Sequence, residues 1–104
     1  MKKLKVAVAD CNETFLQAME SIIRMDLELQ LLDAVSDGNE LYDLIREKEP
    51  DVVVVDLILK GIDGFSLLER AQKDSAIKKN PKFILTSNIN SDRIIQDAFY
   101  LRCV

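Results

Sequence analysis

The chain has 104 residues, of which 48% are apolar and 31% charged, and its formal net charge is −4. These values indicate a single packed domain and exclude a disordered or low-complexity chain. The sequence contains no histidine, which excludes a Ser-His-Asp triad, histidine-ligated zinc and a histidine that donates a phosphoryl group. The acidic balance argues against nucleic-acid binding by this domain alone. No apolar run reaches the roughly 18–20 residues of a membrane span.

The hydrophobic pattern predicts four strands and four helices in strict alternation. The predicted strands are Leu4–Ala9, Leu29–Val35, Val52–Val55 and Phe83–Leu85. The predicted helices are Asn12 to Met25, a second with Leu41, Leu44 and Ile45 that ends before Pro50, a third with Phe65, Leu67, Leu68 and Ala71, and a fourth from Ser91 with Ile94, Ile95, Ala98 and Phe99. The aromatic spacing places Phe15, Phe65, Phe83 and Phe99 in the core.

Alternating strands and helices of this kind predict a parallel sheet with right-handed crossovers and helices on both faces. We therefore expect an α/β domain of the flavodoxin-like, doubly wound type. The expected strand order is 2-1-3-4. With no signal peptide or membrane span in the sequence, we expect a cytoplasmic protein in which Cys11 and Cys103 are free thiols.

Three predicted strands end in polar side chains, at Asp10, Asp56 and Thr86-Ser87. In open α/β sheets, ligands bind outside the carboxyl ends of the strands, so these side chains are expected to converge. Clustered carboxylates suit a divalent cation with oxygen ligands, such as Mg²⁺. The alternative interpretation is that each acid only begins a loop. Because no Gly-rich phosphate loop is present, a phosphate would arrive as a transferred group, with Asp56 the best candidate nucleophile.

The segments that follow the strands resemble those of bacterial two-component response-regulator receiver domains. They are Ala9-Asp10-Cys11-Asn12, the stretch Asp56 to Gly64, and Thr86-Ser87, and the resemblance extends over essentially the whole chain. We therefore interpret residues 1–104 as one receiver domain. Val8-Ala9-Asp10 and the stretch Ile77 to Pro81 further resemble the receiver of the sporulation master regulator.

The resemblance implies a role for each site residue. Asp56 would accept a phosphoryl group from the phosphohistidine of a histidine kinase or phosphotransferase. Asp10, Asp56 and the backbone carbonyl of Ile58 would hold Mg²⁺, and Thr86 would be the switch hydroxyl that turns toward the new phosphate. The output would be transcriptional, with DNA bound only through an effector domain that this sequence does not contain. The resemblance implies no enzyme with turnover.

The sequence departs from the family pattern at three places, and each departure predicts a difference in metal binding, loop rigidity or assembly. Cys11 replaces a carboxylate that would bind the metal directly, which predicts weak Mg²⁺ binding because sulfur is a poor ligand for this ion. Lys60 replaces a usual Pro, which predicts a less rigid loop beside Asp56. The family pattern continues into a fifth strand and a Lys that this sequence does not reach, so we expect a C-terminally incomplete receiver domain. The exposed edge of the fourth strand predicts a homodimer or swapped oligomer.

The sequence leaves two functions of different classes open. The first is a phosphoaccepting receiver that controls a transcriptional output. The second is a degenerate pseudo-receiver that acts as a phosphorylation-independent interaction or dimerisation module. The two differ in whether Asp56 is modified in the presence of Mg²⁺ and a small phosphodonor.

Overall fold

The computed structural model describes residues 2–86. In chain order the elements are β1 (Leu4–Ala9), α1 (Glu13–Met25), β2 (Leu29–Val35), α2 (Gly38–Lys48), β3 (Val52–Asp56), α3 (Gly64–Lys73) and β4 (Lys82–Thr86). All four strands and the first three helices were predicted, and the bounds predicted for the strands and for α1 differ from the observed ones by at most one residue. The predicted fourth helix, Cys103 and the C-terminal end of the domain lie outside the described residues.

The four strands form one parallel sheet in the order β2-β1-β3-β4. The predicted flavodoxin-like topology is therefore confirmed. The register between β1 and β2 shifts after Val6, so that Leu32 is the extra residue of a bulge. Between β3 and β4 the register is unbroken and ends with Asp56 opposite Thr86. This pairing places the last residues of both strands at the same edge of the sheet.

Alternate residues of β1 face two separate cores. Val6 and Val8 pack with Leu16 and Ile23 of α1 on one face of the sheet. On the other face Ala7 and Ala9 pack with the apolar residues of α2 and α3, which include Leu41, Ile45, Leu67 and Ala71. Helices thus cover both faces of β1, which explains why its sequence is a continuous apolar run rather than an alternating one.

Each described helix begins at a side chain that caps its first turn. Asn12 accepts a hydrogen bond from the Phe15 N–H, as expected for an N-cap, and Asp37 and Asp63 cap α2 and α3 in the same way. None of the helices within residues 2–86 is both long and apolar enough to cross a bilayer.

The prediction for the phenylalanines was partly wrong. Phe83 packs against the core below α2 and α3, and Phe15 is half-buried. Phe65, however, is 66% exposed in the first turn of α3. Leu67 and Ala71 form the buried face of this helix, and Phe65 lies outside it because a residue two positions before Leu67 points to a different side. Phe99 lies outside the described residues.

Candidate functional site

Asp10 follows β1 at the carboxyl edge of the sheet and is only 1% exposed. Its N–H donates to the Val35 carbonyl (3.1 Å), which continues the β1–β2 pairing by one residue. Its Oδ1 accepts a hydrogen bond from the Asn12 N–H at 2.8 Å, whereas its buried Oδ2 has no partner. Burial raises the pKa of this carboxyl, against the opposite effect of the Asn12 hydrogen bond.

Asp56 is the last residue of β3, the strand next to β1, and it too is 1% exposed. Its Oδ1 accepts from the Ile58 N–H at 3.3 Å, and its Oδ2 is buried without a partner. Burial, followed by the charge of Asp10, raises the pKa of Asp56 to about 6. The site therefore holds two buried carboxyl groups that oppose each other's ionisation.

Asp10, Cys11 and Asp56 each offer one ligand atom, and these three atoms all lie within 4.8 Å of one another. The structure thus brings together the two acids named as metal ligands and Cys11, which occupies the position of the missing carboxylate. Two buried oxygens without a hydrogen-bond partner are unusual in a folded protein, where such atoms are nearly always satisfied. A cation is the partner that such a pair of carboxylate oxygens would accept.

Cys11 is half-buried beside the two acids, and it is disulfide-bonded rather than a free thiol. The expectation of a free thiol is therefore wrong for this residue. Its sulfur remains a poor ligand for a hard cation in either state, because Mg²⁺ selects oxygen.

Thr86 ends β4 directly opposite Asp56 in the sheet register. Its carbonyl accepts a hydrogen bond from the Leu57 N–H at 3.1 Å, and its buried hydroxyl has no partner. The residue predicted as a switch hydroxyl therefore lies on the strand beside Asp56, at the same edge of the sheet.

Backbone hydrogen bonds fix the loop between β3 and α3, residues 57–63. The Gly64 N–H donates to the Leu57 carbonyl at 2.9 Å, and a Cβ at Gly64 would lie 2.3 Å from the Asp56 carbonyl oxygen. Ile58, the predicted carbonyl ligand, is 3% exposed within this loop. Lys60 is exposed, but its backbone forms a parallel bridge with Asp37. The loop expected to be less rigid is thus tied to the segment that precedes α2.

The sequence model of the response regulator receiver domain family matches residues 6–101. The chain belongs to this family. Receiver domains take part in two-component signalling, interact with kinases or phosphotransferases, and bind Mg²⁺ at acidic residues. The acid pair of this receiver domain, Asp10 and Asp56, is the corresponding cluster.

Solved structures of receiver domains share the fold. The signal receiver domain of the putative response regulator NarL from Mycobacterium tuberculosis superposes with a TM-score of 0.77 at 20% identity, covering 95% of this chain and 77% of that one. A LuxR-family DNA-binding response regulator from Staphylococcus aureus gives 0.75 at 22% identity, with 97% and 81% coverage. The CheX–CheY–BeF3–Mg²⁺ complex from Borrelia burgdorferi gives 0.73 at 17% identity, with 97% and 73% coverage.

The contribution of the glycines to this site was not predicted from the sequence. Gly38 had no predicted role, yet it is the buried first residue of α2 and contacts the loop beside Asp56. The Asp37-Gly38 pair is a signal for this role, because an N-cap followed by a residue without a side chain permits close backbone contact.

Proposed function

We propose that this receiver domain accepts a phosphoryl group on Asp56. The observation that carries the proposal is the buried Oδ2 of Asp56, which has no hydrogen-bond partner and lies in a cluster with Asp10. An acid that only began a loop would be expected to find hydrogen bonds for both oxygens or to lie in solvent. The unpaired oxygens therefore favour the phosphoaccepting function over a phosphorylation-independent interaction module.

The residues present fit a divalent cation. Asp10 and Asp56 both contribute a buried, unpaired carboxylate oxygen, and Ile58 lies in the adjoining loop, where its carbonyl would be a third protein ligand. Two ionised carboxylates at this distance repel each other, and this repulsion adds to the larger effect of burial in raising the pKa of Asp56. When bound, Mg²⁺ would supply the positive charge that offsets these carboxylates and the phosphoryl oxygens.

Asp56 would act as the nucleophile. A carboxylate oxygen of Asp56 would attack the phosphorus of a partner's phosphohistidine, so that an oxygen–phosphorus bond forms and the phosphorus–nitrogen bond breaks. The released imidazole would take up a proton from solvent. With a pKa of about 6, Asp56 is mostly ionised at neutral pH even without a cation, which is the state that the attack requires. The low exposure of the site limits the water that could compete.

Thr86 would sense the modification. Its buried hydroxyl has no partner, and its position opposite Asp56 on the neighbouring strand would let it donate a hydrogen bond to a phosphate oxygen. Phosphorylation adds about −1.5 to −2 charge and three strong acceptors, by analogy with other phosphorylated side chains. The output we propose is transcriptional, through an effector domain, and the similarity to the sporulation regulator stays a prediction.

We propose weak Mg²⁺ binding because the third ligand atom of the cluster is sulfur. Cys11 contributes a sulfur atom within 4.8 Å of both carboxylates. Neither a thiol nor a disulfide sulfur replaces a carboxylate oxygen as a ligand for Mg²⁺. The cation would then be held by two protein carboxylates, carbonyl oxygen and water.

We also propose that the protein forms a homodimer. Ile84 and Leu85 on β4 are 53% and 41% exposed, and β4 is the outer strand of the sheet that residues 2–86 form, where apolar side chains favour pairing with another chain. Sedimentation velocity should show a concentration-dependent dimer that the double variant Ile84→Ser/Leu85→Ser abolishes. A monomer at all concentrations would contradict this part of the proposal.

Beryllofluoride, which imitates a phosphoryl group on a carboxylate, tests the proposed function. The ¹⁹F NMR spectrum of the protein with beryllofluoride and Mg²⁺ should show bound fluoride resonances. These should disappear with EDTA and in Asp56→Asn. The exposed acid variant Glu47→Gln serves as the matched control and should retain them. Absence of bound resonances in the unmodified protein would favour the pseudo-receiver instead.

A further inference from the structure

The first residues of α2 contact the loop beside Asp56 through their backbone. The Gly38 N–H donates to the Lys60 carbonyl at 2.8 Å, and the Ile62 N–H donates to the same carbonyl at 2.9 Å. Asp37 and Lys60 are bridge partners in parallel orientation. The Lys60 carbonyl therefore joins the N-terminal turn of α2 to the loop that contains Ile58.

Two glycines make this contact possible. A Cβ at Gly38 would lie 2.0 Å from the carbonyl oxygen of Ile62 and 2.4 Å from its Cγ2. Gly61, with φ of +80°, faces α2 from the other side, and a Cβ there would lie 2.6 Å from the Asn39 Nδ2. Of these two glycines, only Gly38 would bring its Cβ against backbone atoms, and these cannot move away unless the loop moves. A side chain at Gly38 must therefore displace either α2 or residues 60–62.

The carboxylates are positioned by other elements. Asp56 belongs to β3 and Asp10 directly follows β1, so the sheet holds both acids. Ile58 lies two residues beyond β3, in the segment between the Gly64–Leu57 hydrogen bond and the Lys60 bridge. The contact between α2 and the loop therefore affects the position of the Ile58 carbonyl and does not affect the positions of Asp10 and Asp56.

We propose that Gly38 is a positioning residue for the metal-binding loop, with Gly61 completing the contact. This inference rests on the proposed function. The contact fixes the backbone at Lys60, where the family usually has a rigid Pro. It thereby holds the Ile58 backbone near Asp10 and Asp56. Mg²⁺ demands near-ideal octahedral geometry, and residues that orient a metal ligand typically change affinity by about 10–100-fold when mutated.

Three variants of this chain test the inference, with Mg²⁺ affinity measured by calorimetry at a temperature where circular dichroism shows each variant folded. Gly38→Ala should weaken Mg²⁺ binding by at least about tenfold. Gly61→Ala, which strains the backbone at a φ of +80° and places its Cβ against the Asn39 side chain, should also weaken Mg²⁺ binding. Leu44→Ala, which removes packing from the part of α2 beyond its first turn, should change the affinity by less than about twofold.

A metal-free measurement separates this inference from the proposed function. In ¹H–¹⁵N NMR spectra recorded with EDTA, the Ile58 and Lys60 amide resonances should shift in Gly38→Ala and stay in place in Leu44→Ala. If these resonances shift but the unmodified protein binds no Mg²⁺, the proposed function fails while the positioning contact stands. If Gly38→Ala leaves both the resonances and the affinity unchanged, or Leu44→Ala weakens binding equally, the inference is wrong.

Discussion

Asp10 and Asp56 lie at the ends of adjacent parallel strands, and each presents a buried carboxylate oxygen without a hydrogen-bond partner. Ligand atoms of the two side chains lie within 4.8 Å of each other. Like charges in this arrangement destabilise the folded protein unless a proton or a cation is bound. The acid pair therefore links stability, pH and metal binding, and each of these can be measured separately.

Asp56→Asn should stabilise the metal-free protein at neutral pH. Because the pKa of Asp56 is raised from 3.8 to about 6 in the folded state, the folded protein retains a proton over this range that the unfolded chain has lost. Stability should therefore fall as the pH rises from 4 to 6. The full shift corresponds to about 3 kcal/mol, and we expect a gain of about 1–3 kcal/mol at pH 7 in urea unfolding with EDTA.

The pH dependence identifies the cause of this gain. The advantage of Asp56→Asn should shrink as the pH falls from 6 and vanish near pH 3, below the unfolded pKa of 3.8, where Asp56 is mostly protonated in both states. Asp33→Asn, which alters an exposed acid on β2, should show no such loss. A stabilisation of Asp56→Asn that persists unchanged at pH 4 would contradict the assignment to ionisation of Asp56.

Mg²⁺ should stabilise the unmodified protein against heat. An ion that binds only the folded state adds about 2.7 kcal/mol when its concentration is one hundred times the Kd. Asp10→Asn should remove most of this gain, since it replaces one of the two buried anionic ligands, whereas Glu47→Gln should retain it. An equal Mg²⁺ effect on Tm in Asp10→Asn would show that the ion binds elsewhere.

Cys11→Asp should tighten Mg²⁺ binding. The substitution adds a third carboxylate where the ligand cluster now has sulfur, and we expect about a tenfold lower Kd from a gained oxygen ligand. Cys11→Ser is the matched control, because it also removes the sulfur and its disulfide but adds no charge. Equal affinities in the unmodified protein and Cys11→Asp would refute the proposed weakness.

Tyr42→Phe should destabilise the fold and leave the site intact. The buried Tyr42 hydroxyl donates a hydrogen bond to Asp74, and the Arg70 guanidinium lies 4.7 Å from the centre of the same ring. Loss of a hydrogen bond to a charged group costs about 1.5 kcal/mol. A double-mutant cycle with Asp74→Asn should show a favourable coupling energy between Tyr42 and Asp74. Unchanged stability in urea unfolding, or a changed Mg²⁺ affinity, would contradict this account.

The sheet was predictable because its signals are local. The valine run of β3, the apolar stretch of β1 and the helical spacing in α1 fix the alternation of elements, and alternation implies a parallel sheet. The convergence of Asp10 and Asp56 then follows from strand direction. Phe65 was placed wrongly because its apolar character was weighed without its angular position on α3, which points it away from the buried face.

The contact between α2 and the metal-binding loop was not predictable in this way. It depends on the packing of two segments more than 20 residues apart, where Gly38 lies against Ile62. The hydrophobic periodicity of a sequence does not indicate such a long-range contact. The state of Cys11 was likewise beyond the sequence, because a pairing of cysteines is set by distance in the fold and not by spacing along the chain.

The most direct test of the central claim is intact-mass and peptide mass spectrometry after incubation with acetyl phosphate and Mg²⁺. We predict the addition of one phosphoryl group, located on the peptide that contains Asp56 and absent from Asp56→Asn. No addition to the unmodified protein, or an equal addition to Asp56→Asn, would contradict the claim that this carboxylate is the phosphoacceptor.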